Sequence, residues 1–143
     1  MKNNFRTKFG VLVFLVVLLP LEACAPVTYQ HYMGTQLPKT KVAVITGDKY
    51  VVLNKIDNEN VYSKVRAIDG RNNGWSVAVL PGDHELILDY QEWGINFYGN
   101  LESREPIKLS RYFEAGNHYQ VKYEVLDNDR RKAVRMYIIQ SSE

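Results

Sequence analysis

From residue 41 onward the chain alternates short apolar runs with clusters of turn residues. Residues 41–45 (KVAVI) are apolar and β-branched, and Gly47-Asp48 follows as a turn. Residues 50–56 (YVVLNKI) lead into the polar turn 57–60 (DNEN). Residues 61–68 (VYSKVRAI) set Val61, Val65 and Ala67 on one face of an extended chain, which predicts a strand. Residues 75–79, 84–90 and 106–113 carry the same signal, the last with Ile107, Leu109 and Phe113 on one face. The cleanest alternation is in 118–125, where Tyr119, Val121, Tyr123 and Val125 interleave with Gln120, Lys122 and Glu124. A last run covers 133–140. Asp69-Gly70, Asn73-Gly74 and Pro81-Gly82 are strong turn dipeptides. No stretch carries a helical stripe, and 97–105 has room for one helical turn. The pattern predicts an all-β fold, an antiparallel β-sandwich of about seven to eight short strands, built from residues 42–143.

The pattern before residue 41 is different. Lys2, Arg6 and Lys8 precede an unbroken apolar run over 11–19, which Pro20 ends. Nine residues are too few to span a bilayer, which takes about 20, but they suit the apolar region of an export signal. Residues 25–41 show no sustained period and are punctuated by Pro26, Gly34 and Pro38. They read as a flexible tether whose extended reach is about 55–60 Å, with Tyr29 and Tyr32 as the residues that allow an edge strand instead.

Composition sharpens this division. The chain has 18 basic and 16 acidic residues. Removing residues 1–23 takes away Lys2, Arg6, Lys8 and Glu22, and leaves 15 of each sign. A neutral domain lacks the clustered positive charge that supplies most nucleic-acid affinity, so no nucleic-acid partner is expected. Cys24 is the single cysteine, so no intrachain disulfide exists.

The stretch Leu21-Glu22-Ala23-Cys24 resembles the processing site of bacterial lipoproteins, with Leu three places before the cysteine and a small residue directly before it. Glu22 departs from that pattern. The resemblance implies a signal peptide over 1–23, cleavage before Cys24 and a diacylglycerol on its sulfur. Residues 24–41 would then be the lipidated N-terminus and tether. Ala25 after the cysteine implies, by the same resemblance, sorting to the outer membrane of a Gram-negative envelope. Ordinary signal cleavage after Ala25 is the rival, and Pro26 directly after that cut disfavours it. A second resemblance lies in "VAVLPGDHELILDY" and "RYFEAGNHYQVKYEV". A strand running into a Pro-Gly turn, and a later strand ending in Ala-Gly before a Tyr, look like PEGA-like and immunoglobulin-like β-sandwich modules. Such modules are envelope appendages without chemistry of their own.

Candidate chemistry is sparse. The chain has no phosphate-binding glycine loop, no nucleophile elbow and no HExxH. Of His31, His84 and His118, the last two each open a strand after a turn. They offer no metal-ligand spacing, so neither a metal nor another cofactor is expected. Residues 57–60 and 127–130 have the Asp/Asn density of calcium loops. The sixth and twelfth positions are Tyr62 and Ile68 from Asp57, and Lys132 and Ile138 from Asp127, where glycine and glutamate are required. Arg130, Arg131, Lys132 and Arg135 form a small basic cluster, offset by Asp127 and Asp129. The most suggestive segment is 91–100, with Trp93, Phe97 and Tyr98 as a possible partner-binding surface between two strands.

The sequence therefore points to a non-enzymatic envelope lipoprotein. It would be held in the membrane by lipid on Cys24 and carry a β-sandwich with a binding or structural role toward an envelope protein or glycan. The alternatives are a glycan-binding module, with Trp93, Phe97 and Tyr98 as its platform, and a small envelope hydrolase or inhibitor using His84 and His118 with Asp83 or Glu85.

Overall fold

The computed structural model describes residues 27–69, 74–92, 101–127 and 131–141. Along them run β1 (Tyr29–Gln30), a 3-10 turn (Lys39–Lys41), β2 (Ala43–Gly47), β3 (Val51–Ile56), β4 (Glu59–Asn60), α1 (Tyr62–Asp69), β5 (Trp75–Val79), β6 (Gly82–Glu92), β7 (Leu101–Ser103), β8 (Ile107–Phe113), β9 (His118–Val125), β10 (Arg131–Lys132) and β11 (Val134–Ser141). The fold is all-β with two facing sheets, as the alternation predicts. The strands of five or more residues are β2, β3, β5, β6, β8, β9 and β11, and the rest are short edge pieces.

The first sheet has the order β1-β5-β2-β9-β11. The pairings β2–β5 and β9–β11 are antiparallel, whereas β1–β5 and β2–β9 are parallel. The second sheet centres on the long strand β6. β3 and then β4 lie on one of its edges, and β8 and β7 share the other, with β10 beyond β7. Leu88 pairs with Ile107 and Gln91 with Glu102, so three steps along β6 match five along the partner. The two extra residues fall between β7 and β8, around Pro106, which has no N–H to give a ladder. There the Tyr90 amide donates to the Ser103 hydroxyl at 3.1 Å instead. The turn 57–58 closes the β3–β4 hairpin with two left-handed residues, Asp57 (φ 50°) and Asn58 (φ 67°). Asp and Asn tolerate that conformation, and it matches the twist of the flanking strands.

The core lies between the sheets. Ile45, Val77, Val79, Leu86, Leu88, Phe113 and Val121 are fully buried. Each contributes on the order of 1.5–3 kcal/mol by leaving water. Phe113 of β8 meets Tyr119 of β9 edge-on at 4.9 Å, which joins the two sheets. Nearer the other end, the rings of Tyr50, Tyr90 and Tyr123 cluster, with Tyr90 and Tyr123 5.1 Å apart. Burial pushes the Tyr90 phenol well above its ordinary value, and the neighbouring Glu92, which accepts its hydroxyl proton at 2.9 Å, adds to the shift.

Three expectations are corrected. Residues 61–68 do not form a strand: they belong almost entirely to α1, with Val61 and Val65 both buried in the core. A spacing of four fits one face of a strand and one turn of a helix equally well. The Val65 amide donates to Val61 O at 2.9 Å, and Asn60 Oδ1 accepts the Tyr62 amide at 3.2 Å, which starts the helix. Residues 101–103, inside the stretch 97–105 that had room for one helical turn, are the strand β7. The segment 25–41 is not a free tether over its described part. Tyr29 and Gln30 pair with Val77 and Ala78, Tyr29 packs on the core, and the chain passes into the 3-10 turn at Lys39–Lys41.

Gly47 and Trp75 show how tightly the first sheet is fitted. The Trp75 indole N–H donates to Val51 O at 2.7 Å, and the ring lies directly over Gly47. A Cβ at position 47 would fall well inside van der Waals contact with the ring. Gly47→Ala is therefore expected to displace the indole and lower stability by about 1–3 kcal/mol. Urea unfolding followed by circular dichroism checks this; an unchanged midpoint would refute the fit.

Candidate functional site

A concavity among the described residues lies where α1 crosses the gap between β3 and β5. It encloses ≈ 70 Å³, room for a handful of water-sized groups. Val65 of α1, Val51 and Leu53 of β3 and Trp75 of β5 give it an apolar wall, while Lys49, Arg66 and Gln91 bring polar groups. Each element is there for a local reason. Val65 of α1 and Val61 just before it are buried, so their neighbours Tyr62 and Arg66, whose side chains hydrogen-bond each other, line the cleft. The turn before β3 is set by Asp48, whose Oδ1 accepts the Tyr50 amide at 3.0 Å. Lys49 Nζ then lies 4.8 Å from the centroid of the Tyr50 ring, a cation–π distance. Such a cleft suits a small apolar group with a polar or anionic end.

At the opposite end of the sandwich a polar cluster ties the β3–β4 hairpin to β6. His84 Nδ1 is 2.6 Å from Asp57 Oδ2, and His84 Nε2 is 2.8 Å from Leu80 O. Both partners are acceptors, so each ring nitrogen donates when it carries a proton. Asp57 Oδ1 also accepts the Glu85 amide at 2.9 Å. Burial raises the Asp57 carboxyl, but the Glu85 amide and His84 outweigh it and hold the group below its ordinary value. Glu59 forms an ion pair with Lys64 and lies 3.8 Å from His31. Burial lowers the His31 imidazole despite the nearby carboxylates of Glu59 and Asp57.

The structure separates the two histidines considered for acid–base chemistry. His84 is on β6, in register with Arg111 and on the inward-facing side of that strand, at the rim. His118 opens β9 in the other sheet, opposite Val44 and Ser141. Its neighbour Tyr119 points into the core, so His118 faces the outer side of that sheet. His84 instead gathers Asp57 and Leu80 O, the local turn contact. Neither Asp83 nor Glu85 hydrogen-bonds it: Glu85 pairs with Lys108. Among the described residues no group of three or more His, Cys, Asp or Glu is placed to hold a metal. Cys24, Trp93, Phe97 and Tyr98 lie outside the described residues. The cleft itself went unread in the sequence because it depends on α1. The available signal was the Val61–Val65 spacing of four beside the helix formers Lys64, Arg66 and Ala67.

With this geometry established, comparison brings no relative to it: no family model, curated protein or solved structure matches the chain.

The Asp57 cluster has a pH signature. Its carboxyl is held below 3.8 in the fold, so its contribution is complete above that value and is lost as the pH falls through the lowered one. Asp57→Asn should flatten the fall of stability below about pH 4. The carboxylate is partly exposed, so solvent screening limits the difference to about 1 kcal/mol or less. Urea midpoints measured in parallel for the two proteins on the acid side read this directly; parallel curves would contradict it.

Proposed function

We propose that the chain is an outer-membrane lipoprotein, acylated on Cys24, whose β-sandwich binds or scaffolds an envelope protein or glycan. The observation that carries this reading is the order of features before the fold: a basic start, the apolar run 11–19, and then Leu21-Glu22-Ala23 before the single cysteine. Two acyl chains hold a protein stably in a bilayer where one does so only marginally. The well-packed sandwich that follows is consistent with an appendage of this kind, and it needs no disulfide to reach a stable core.

The binding role draws on two features. The cleft beside α1 offers Trp75, Tyr62 and Lys49 to a small amphipathic group. The segment 91–100 adds Trp93, Phe97 and Tyr98, the aromatic types that dominate contact energies at protein and glycan interfaces. The hydrolase alternative rested on His84 and His118 acting together. With His84 on the inner side of one sheet and His118 on the outer side of the other, that pairing lends the alternative no support.

Two measurements test the reading. Cells labelled with a palmitate analogue should incorporate it in the wild-type chain and lose that signal in Cys24→Ser, which should also leave the membrane fraction. Equal labelling in the variant would end the anchor reading. Crosslinking in whole envelopes should capture a partner that the double variant Trp93→Ala, Phe97→Ala loses at least in part. Identical capture would remove 91–100 from the interface.

A further inference from the structure

The place where the chain enters the fold is well defined. Thr28 Oγ1 lies 3.0 Å from Ser76 Oγ. Tyr29 and Gln30 pair with Val77 and Ala78, and the His31 amide donates to Ala78 O at 2.9 Å. Because β1 runs parallel to β5, Val27 stands level with Trp75, at the end of the sandwich where β2 finishes and β3 begins. Three peptide steps separate Val27 from Cys24, and they span at most about 11 Å. The headgroup layer on each side of a bilayer is about 5–8 Å thick. An acyl anchor on Cys24 therefore holds this end of the sandwich at the outer edge of the headgroups, whatever path the intervening residues take.

The same end carries a surface suited to that contact. β9 continues four residues past its last pairing with β2, from Val121 to Val125, a projection of about 13 Å. The chain then turns toward β11. Val125 and Leu126 are 36% and 53% exposed, and Val27 is 61% exposed. In the sequence, Arg130, Arg131 and Lys132 come within six residues of Leu126, preceded by Asp127 and Asp129. Exposed apolar side chains at the end nearest the anchor match the boundary between acyl chains and headgroups.

We propose that this end of the sandwich rests on the phospholipid bilayer, with Val27, Val125 and Leu126 in the headgroup layer. The proposal depends on the acylation of Cys24 put forward above. The domain is then seated on the membrane, not suspended from it. The opposite end, with the Asp57–His84 pair and the turn at Pro81, faces away from the lipid.

The experiment uses the full chain, exported and purified from membranes, with mass spectrometry reporting the group on Cys24. Acylation of Cys24 leaves an introduced cysteine as the single free thiol. Leu126→Cys and Asp83→Cys, at the two ends of the sandwich, each receive an environment-sensitive fluorophore. The proteins are then reconstituted into phosphatidylethanolamine–phosphatidylglycerol vesicles containing spin-labelled lipid. Circular dichroism confirms that both variants fold as the wild type. The expected result is quenching and a blue shift at position 126, several-fold stronger than at position 83. An acylated protein showing no quenching at either position, or equal quenching at both, overturns the seating while leaving the anchor reading intact. A chain without acyl mass on Cys24 overturns the anchor reading and the seating with it.

Discussion

The fold depends on one contact between its sheets. The Trp75 indole, carried by the first sheet, donates its N–H to the Val51 carbonyl of the second. Gly47 opposite it has no side chain, which gives the ring its place. Gly74 is fitted just as closely: it holds φ at 86°, and a Cβ there would collide with the Gly47 carbonyl. This single arrangement starts β5, ends β2, positions the entry of β3 and forms the wall of the cleft. A buried indole that finds its hydrogen-bond partner contributes a large apolar area with no unsatisfied polar atom.

The two long flanks of the sandwich are closed by different means. On one side α1 lies against β3 and β5, with Val65 and the preceding Val61 buried in the core. On the other, Arg111 of β8 donates to Ile138 O of β11 at 2.9 Å and lies 5.0 Å from the centroid of the Tyr119 ring. Arg111 thereby occupies an inward-facing position without leaving its charge unsatisfied. Its aliphatic stem covers core residues while the guanidinium binds a carbonyl on the exposed edge of the neighbouring sheet. A strand edge whose carbonyl is already taken is also a poorer template for another chain.

Most of the strands were legible because one face of each is buried and the alternation is strict, as in Tyr119, Val121 and Tyr123. The turn at Asp57-Asn58 was legible too, because those residue types satisfy a left-handed conformation, although the two-residue strand β4 after it was not. The helix was not. Eight residues hold little more than two turns, and Val61 and Val65 satisfy both periods. Strand β1 was visible only as an option, since two residues leave no period to read and their partner lies 48 positions away. The cleft draws on α1, β3, β5 and the turn before β3, and no local pattern encodes that convergence. The rim cluster around Asp57 likewise joins residues 27 apart.

The docking of β1 also has a mechanical meaning. With Cys24 acylated as proposed, a pull between the bilayer and the domain would pass first through Thr28, Tyr29, Gln30 and His31, directed along the strand. Such a load shears the small set of bonds to β5 together and does not unzip them one by one. If they yield, Tyr29 leaves its place against the core, and residues 28–38 pay out as slack of about 35–40 Å. Under that anchor the segment would work as a latch with stored length: short and stiff at rest, long and compliant under strain, with a two-residue strand setting the threshold between the two.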